Sequence, residues 1–133
     1  MTRVLALALL LAACAAPPPA KSSPNARPLA GTSWTMVHEA GASAIPTIEF
    51  REAGRASGFT GCNQWFAQVD RSEAGLSFNS IGMTRRACEP AAMEIERAFA
   101  QSLSRARAAQ VDDEMLTLIG EDGEAVARFE RER

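Results

Sequence analysis

Pro46-Thr47-Ile48-Glu49-Phe50-Arg51-Glu52 sets Ile48 and Phe50 on one side of an extended chain and Thr47, Glu49 and Arg51 on the other. A period of two marks a strand with one face in a core and the other in water. Upstream, Ser33 to His38 repeats it, with Trp34, Met36 and His38 sharing a face. Downstream, Gly54 turns the chain into Arg55 to Thr60, Trp65 to Asp70 continues the alternation, and Glu73-Ala74-Gly75 reads as the next turn. Leu76 to Ile81 then points Leu76 and Phe78 inward. Near the C-terminal end, Met115 to Ile119 and Ala125 to Glu130 flank Gly120-Glu121-Asp122-Gly123, an acidic glycine-rich loop suited to closing a hairpin.

One segment breaks this alternation. From Pro90 to Ala106, the residues Ala92, Glu96, Phe99, Ala100, Leu103 and Ala106 fall at the three- and four-residue spacings of one helical face. Pro90 fits a first helical turn, where its missing N–H costs nothing. Short strands and a single helix predict an α+β domain, a small antiparallel β-sheet or partial barrel packed against one α-helix. Glu96 lies in the middle of the apolar helix face, and a buried carboxylate is costly without a partner. Arg85, Arg86, Thr84 or free backbone amides are the candidate partners, and Glu96 reads as a structural polar anchor.

The N-terminal end carries an address. Arg3 precedes an apolar run from Val4 to Ala13 that stops at Cys14, the layout of an export signal. The run falls short of the roughly 20 apolar residues that a membrane-crossing helix needs. Leu11-Ala12-Ala13-Cys14 resembles the lipobox of bacterial lipoproteins, which implies cleavage after Ala13 and acylation of Cys14. Each buried methylene contributes about 0.8 kcal/mol, so two or three acyl chains hold where one binds reversibly. Residues 14–28 include Pro17, Pro18, Pro19, Pro24 and Pro28 with Lys21, Ser22 and Ser23, a composition for an extended tether. The expected organisation is a signal peptide over 1–13, a lipidated cysteine and tether over 14–28, and a folded domain over 29–133. The expected place is the outer membrane, facing the periplasm.

Roughly 100 residues remain for that domain, enough for one core. Loss of Arg3 with the leader takes the 14 basic residues to 13, against 16 acidic. A slightly negative, evenly charged surface does not suit nucleic acid, and a monomer is expected. Of the 3 cysteines, Cys14 is assigned to lipid. Cys62 and Cys88 are left as a pair in a compartment that favours disulfides, and a bridge between them is predicted. A loop of about 26 residues closed this way stabilises a fold by roughly 3 to 4 kcal/mol.

Catalytic and metal chemistry find little support. His38 has no companion at ligand spacing, so no metal or other cofactor is expected. Bridging removes the thiolate that a Cys62–His38 pair would need. No glycine-flanked serine offers a nucleophile elbow, and Glu94 and Glu96 point in different directions on a helix. Gly58, Gly61 and Asn63 could form an anion nest, but these residue types are also those of ordinary tight turns.

Taken in order, Gly58-Phe59-Thr60-Gly61-Cys62-Asn63-Gln64-Trp65, Thr84-Arg85-Arg86-Ala87-Cys88, and Met93 to Glu96 with Phe99 and Leu103 resemble the META domain, or HslJ-like, family. Gly31-Thr32-Ser33-Trp34 and Pro46-Thr47-Ile48-Glu49-Phe50 fit the same pattern, so the resemblance runs from about Ala30 to Phe129. Departures are Ala67 and Val69 after Trp65-Phe66, where the family favours glycine and tyrosine, and Arg86 at a position often apolar. Arg86 is thereby a further candidate partner for Glu96 or Glu89. The resemblance implies a noncatalytic, secreted or surface-anchored envelope protein of a group in which some members are linked to heat shock, motility or novobiocin resistance.

Two functions are expected from these readings. One is binding of an envelope protein or ligand in stress tolerance or surface maintenance. Trp34, Trp65 and Phe66 are then either core residues or a recognition patch. The other is inhibition of a hydrolase by an exposed loop spanning Gly58 to Trp65, with Gly61, Asn63 and Trp65 as its binding or structural residues.

Overall fold

The computed structural model describes residues 28–38, 42, 44–72 and 75–133. The export signal, Cys14 and the tether through residue 27 lie outside the described residues, as do Glu73 and Ala74 of the expected turn. The described strands are β1 (Thr32–Met36), β2 (Thr47–Arg51), β3 (Arg55–Phe59), β4 (Gln64–Ser72) and β5 (Gly75–Met83), then β6 (Ala108–Val111), β7 (Met115–Ile119) and β8 (Ala125–Arg131). Helix α1 (Pro90–Arg105) sits between β5 and β6. The strands form one antiparallel eight-stranded sheet in the order β5-β4-β3-β2-β1-β8-β7-β6.

The sheet is two meanders joined where β1 pairs with β8. Its curl brings the outer strands together at one end, where the Leu76 amide donates to the Arg107 carbonyl at 2.8 Å. Helix α1 links those two edges and fills the concave side, giving the half-barrel with one helix that the patterning predicts. Phe99, fully buried on α1, stands at the centre of the core. Its ring meets Trp65 edge-on at 5.5 Å and Phe129 at 6.3 Å, and Trp65 in turn meets Phe78 at 6.1 Å. Both indoles satisfy their N–H groups, a requirement for burying tryptophan. Trp34 donates to Thr32 Oγ1 at 2.7 Å and Trp65 to the Thr47 carbonyl at 3.0 Å.

Three details differ from the sequence patterning. The first strand ends at Met36 and leaves His38 exposed. Ser102 replaces Ala100 on the buried helix face, its hydroxyl donating to the Phe99 carbonyl at 2.7 Å. Strand β6 was not expected, because Ala106-Arg107-Ala108-Ala109 continues a helix-forming composition. The helix stops at Ala106, whose φ of −61° and ψ of 131° are extended, and β6 then pairs along β7 from Ala108↔Ile119 to Val111↔Leu116. Tertiary pairing overrides local propensity there.

Candidate functional site

Between β3 and β4 the chain makes a tight turn whose side chains face inward. The Thr60 amide donates to the Asn63 carbonyl at 2.8 Å, and the Thr60 hydroxyl oxygen accepts from the Asn63 amide at 2.8 Å. The same hydroxyl donates to Glu96 Oε2 in a short hydrogen bond. Asn63 Nδ2 adds a second donor to that oxygen at 3.0 Å. Glu96 is 8% exposed and its partners are therefore a hydroxyl and a carboxamide. This corrects the expectation of Arg85, Arg86 or Thr84. Thr84 and Arg86 act one step away, where Asn63 Oδ1 accepts from the Thr84 hydroxyl at 2.9 Å and the Arg86 amide at 2.7 Å. Asn63 thus reads both neighbours at once, donating to the helix and accepting from the segment before it.

Cys62 and Cys88 are bridged, with Cα atoms 5.9 Å apart. The bridge and the Asn63 bonds join the same two stretches of chain, 60–63 and 84–88. Gly61 fits beneath the helix with φ +105°, and an added Cβ would lie 2.8 Å from Ile95 Cγ2. Gly61→Ala is expected to cost about 1–3 kcal/mol from backbone strain and crowding, read as a lower urea midpoint. A loss below about 0.5 kcal/mol would mean that Ile95 moves aside freely. Gly61, Asn63 and Trp65 are buried, and Gln64, the first residue of β4, is the exposed one among residues 58–65. The loop expected to project into a target is instead packed against α1.

The other face of the sheet carries a different feature. Trp65 is 2% exposed, whereas its neighbour Phe66 is 61% exposed on the solvent side of β4. Phe66 pairs with Gly82, and a Cβ on Gly82 would meet Phe66 Cζ at 2.4 Å, so the ring tip covers the bare glycine backbone. One residue of β4, Ala67, opposes two of β5, Ser80 and Ile81, because the register shifts from Phe66↔Gly82 to Gln68↔Asn79. Ser80 occupies that bulge with φ +52°, a region costly for a residue with a side chain.

Beside the ring lies a like-charged pair. Arg51 and Arg55 are directly opposed across β2 and β3, an arrangement that destabilises a sheet by a few tenths of a kcal/mol up to about 1 kcal/mol. Arg51 is held by Glu49 Oε2 at 2.7 Å and Ser57 Oγ at 2.9 Å. The Arg55 side chain makes no hydrogen bond or ion pair with another described residue. With Ser57, Phe66, Gln68 and Ser80 these arginines line a shallow depression of about 410 Å³.

The META domain profile matches residues 27–133, which covers the whole sheet, the helix and the Thr60–Asn63–Glu96 network. The chain belongs to the META domain family. No match to a curated protein was found. Among solved structures, this META domain is similar to a protein from Burkholderia xenovorans determined by NMR, at 25% identity, with a TM-score of 0.69. That alignment covers 91% of this chain and 94% of the other. A DUF4847 family protein from Bacteroides vulgatus shares the fold at 14% identity and a TM-score of 0.60, over 77% of this chain and 93% of that one.

The residues of this META domain divide into two groups. Thr60, Asn63, Glu96, Cys62 and Cys88 look inward and hold the turn, the pre-helix segment and α1 together. Arg51, Arg55, Phe66, Gln68 and Ser80 look outward and rest on the sheet. The Cys62 sulfur is consumed in the bridge, and His38 lies beyond the end of β1, on none of these elements. Among the described residues no three His, Cys, Asp or Glu side chains converge as a metal site would require. Of the aromatic residues singled out in the sequence, Trp34 and Trp65 belong to the core and Phe66 to the surface. The outward cluster was not expected beyond Phe66. Its signal is the strand register, which places Arg51 opposite Arg55 and Phe66 opposite Gly82.

Proposed function

We propose that the mature protein is held at the envelope by acyl chains on Cys14 and acts there by noncatalytic binding, through the sheet face that carries Phe66, Arg51 and Arg55. The role in stress tolerance or surface maintenance follows from that placement and from the family. One observation carries the binding reading. A phenylalanine 61% exposed lies against a glycine and beside opposed arginines, on a strand with a left-handed serine across from it. The opposed arginines and the left-handed serine each cost folding stability, and their convergence with the exposed ring on one depression fits selection for contact rather than for the fold. The Thr60–Asn63–Glu96 network, by contrast, has its polar groups satisfied internally and is a means of holding the sheet and helix in place.

Two measurements test the two parts. Cys14→Ala is expected to move the protein from the membrane fraction to the soluble periplasmic fraction, and retention at the membrane removes the anchor. A photo-crosslinking residue placed at Phe66 in living cells is expected to give a defined adduct that the same residue at Arg97, on the exposed side of α1, does not give. Equal labelling from both positions, or none from Phe66, removes the face as the contact surface.

A further inference from the structure

We propose that the depression beside Phe66 binds a carboxylate-bearing saccharide, stacking a pyranose on the ring and pairing one carboxylate with Arg55. This rests on the reading of that face as the binding surface and names the chemistry it takes.

Charge sets the first requirement. Arg51 and Arg55 bring two positive charges to the depression, and Glu49 neutralises the one on Arg51 at 2.7 Å. One guanidinium, that of Arg55, is left to match an incoming group. A single carboxylate satisfies it with two parallel N–H donors, whereas a phosphate dianion would remain half-compensated. Arg51 is already fixed by Glu49 and by Ser57 Oγ at 2.9 Å, so it shapes the site without having to be reorganised.

Shape sets the second. The ring of Phe66 is anchored over Gly82 and largely in water, and it is the one large apolar surface of the depression. A pyranose presents a flat face of C–H groups edged with hydroxyls, which suits one aromatic platform ringed by short polar side chains. Ser57, Gln68 and Ser80 supply donors and acceptors at that rim. The bulge that forces Ser80 to φ +52° also brings it to the depression, which gives its strain a use.

Position separates this ligand from an acidic peptide. Strands β2, β3 and β4 are interior to the sheet, so their backbone groups are committed to neighbouring strands. An extended peptide gains its affinity by pairing with an exposed sheet edge and by filling apolar pockets with alternate side chains. The depression lies over these interior strands, with Ser80 alone contributed by the outer strand β5, and it has no second apolar slot.

The test uses the exported full-length chain and isothermal titration at low salt. Trigalacturonate and the N-acetylglucosamine–N-acetylmuramic acid disaccharide are the probes, with maltotriose, hexaglutamate and inorganic phosphate for comparison. At least one acidic saccharide is expected to bind at least tenfold more tightly than maltotriose. Phe66→Ala and Arg55→Gln are each expected to weaken it tenfold or more, with the far-ultraviolet circular dichroism unchanged. Gly82→Ala, which pushes the ring off the sheet, is expected to weaken it as well. Binding of neither acidic saccharide overturns the proposal, as does hexaglutamate or phosphate binding as tightly with no dependence on Phe66. If the saccharides fail while the Phe66 crosslink persists in cells, the ligand class is wrong and the binding face stands. If the crosslink also fails, the face itself is wrong.

Discussion

Asn63→Ala is expected to lower the unfolding free energy by about 3–5 kcal/mol. The carboxamide is 2% exposed and bonded on both sides. Its oxygen accepts from the Thr84 hydroxyl at 2.9 Å and the Arg86 amide at 2.7 Å, and its nitrogen donates to Glu96 at 3.0 Å and the Arg86 carbonyl at 3.3 Å. Alanine removes all of these together. The largest share of the cost falls on Glu96, which keeps the Thr60 hydroxyl but loses its other side-chain donor in a site too enclosed for easy hydration. Asn63→Asp tests the directionality, because it keeps the acceptor toward Arg86 and turns an acceptor toward Glu96. It is expected to be at least as damaging as alanine. Urea unfolding followed by circular dichroism measures both, as a lower midpoint at constant slope. A loss under about 1 kcal/mol for Asn63→Ala would show that water replaces the carboxamide.

The partners of Glu96 also show where a sequence stops being legible. The alternation at Ile48 and Phe50, the hairpin around Gly120 to Gly123 and the helix face with Phe99 and Leu103 are local patterns, and the fold carries them nearly as read. Glu96 could be recognised as a buried carboxylate in need of a partner from its place on that face. Thr60 and Asn63, 36 and 33 residues away, could not be chosen over nearby arginines without knowing how the β3–β4 turn meets the helix. The outward cluster is harder still. Arg51 and Arg55 oppose each other because the turn at Gly54 sets a short hairpin, which is within reach of sequence. Phe66 meets Gly82 only because the bulge at Ser80 and Ile81 shifts the β4–β5 register by one residue. A one-residue slip changes every facing partner, and nothing in the alternation of Leu76 and Phe78 announces it.

Removing the disulfide by Cys62→Ala with Cys88→Ala is expected to cost about 3–4 kcal/mol, from the chain entropy regained by the unfolded loop. The bridge spans 26 residues, and all of β4 and β5 lie within that loop. The cost should not simply add to that of Asn63→Ala. Both devices tie residues 60–63 to residues 84–88, the bridge covalently and Asn63 through Thr84 and Arg86. With either one present, the segment before α1 stays against the turn and delivers Glu96 to Thr60. With both absent, that segment is free to open locally, and the contacts it makes are lost as a unit, so the second removal costs more than the same change made alone. The combined variant is therefore expected to be less stable than the sum of the separate losses predicts, by about 0.5–3 kcal/mol. Additivity within about 0.3 kcal/mol would mean that the bridge and Asn63 act on independent parts of the fold. The outward face supplies a control on how far such opening spreads. Arg51, Arg55 and Phe66 stand on strands held by pairing among β1 to β4 and face away from α1, although Gly82, the partner of Phe66, lies two residues before Thr84. Crosslinking at Phe66 should then survive the double cysteine variant at temperatures where the domain remains folded, and its loss there would extend the cooperative unit from the helix lock to the whole sheet.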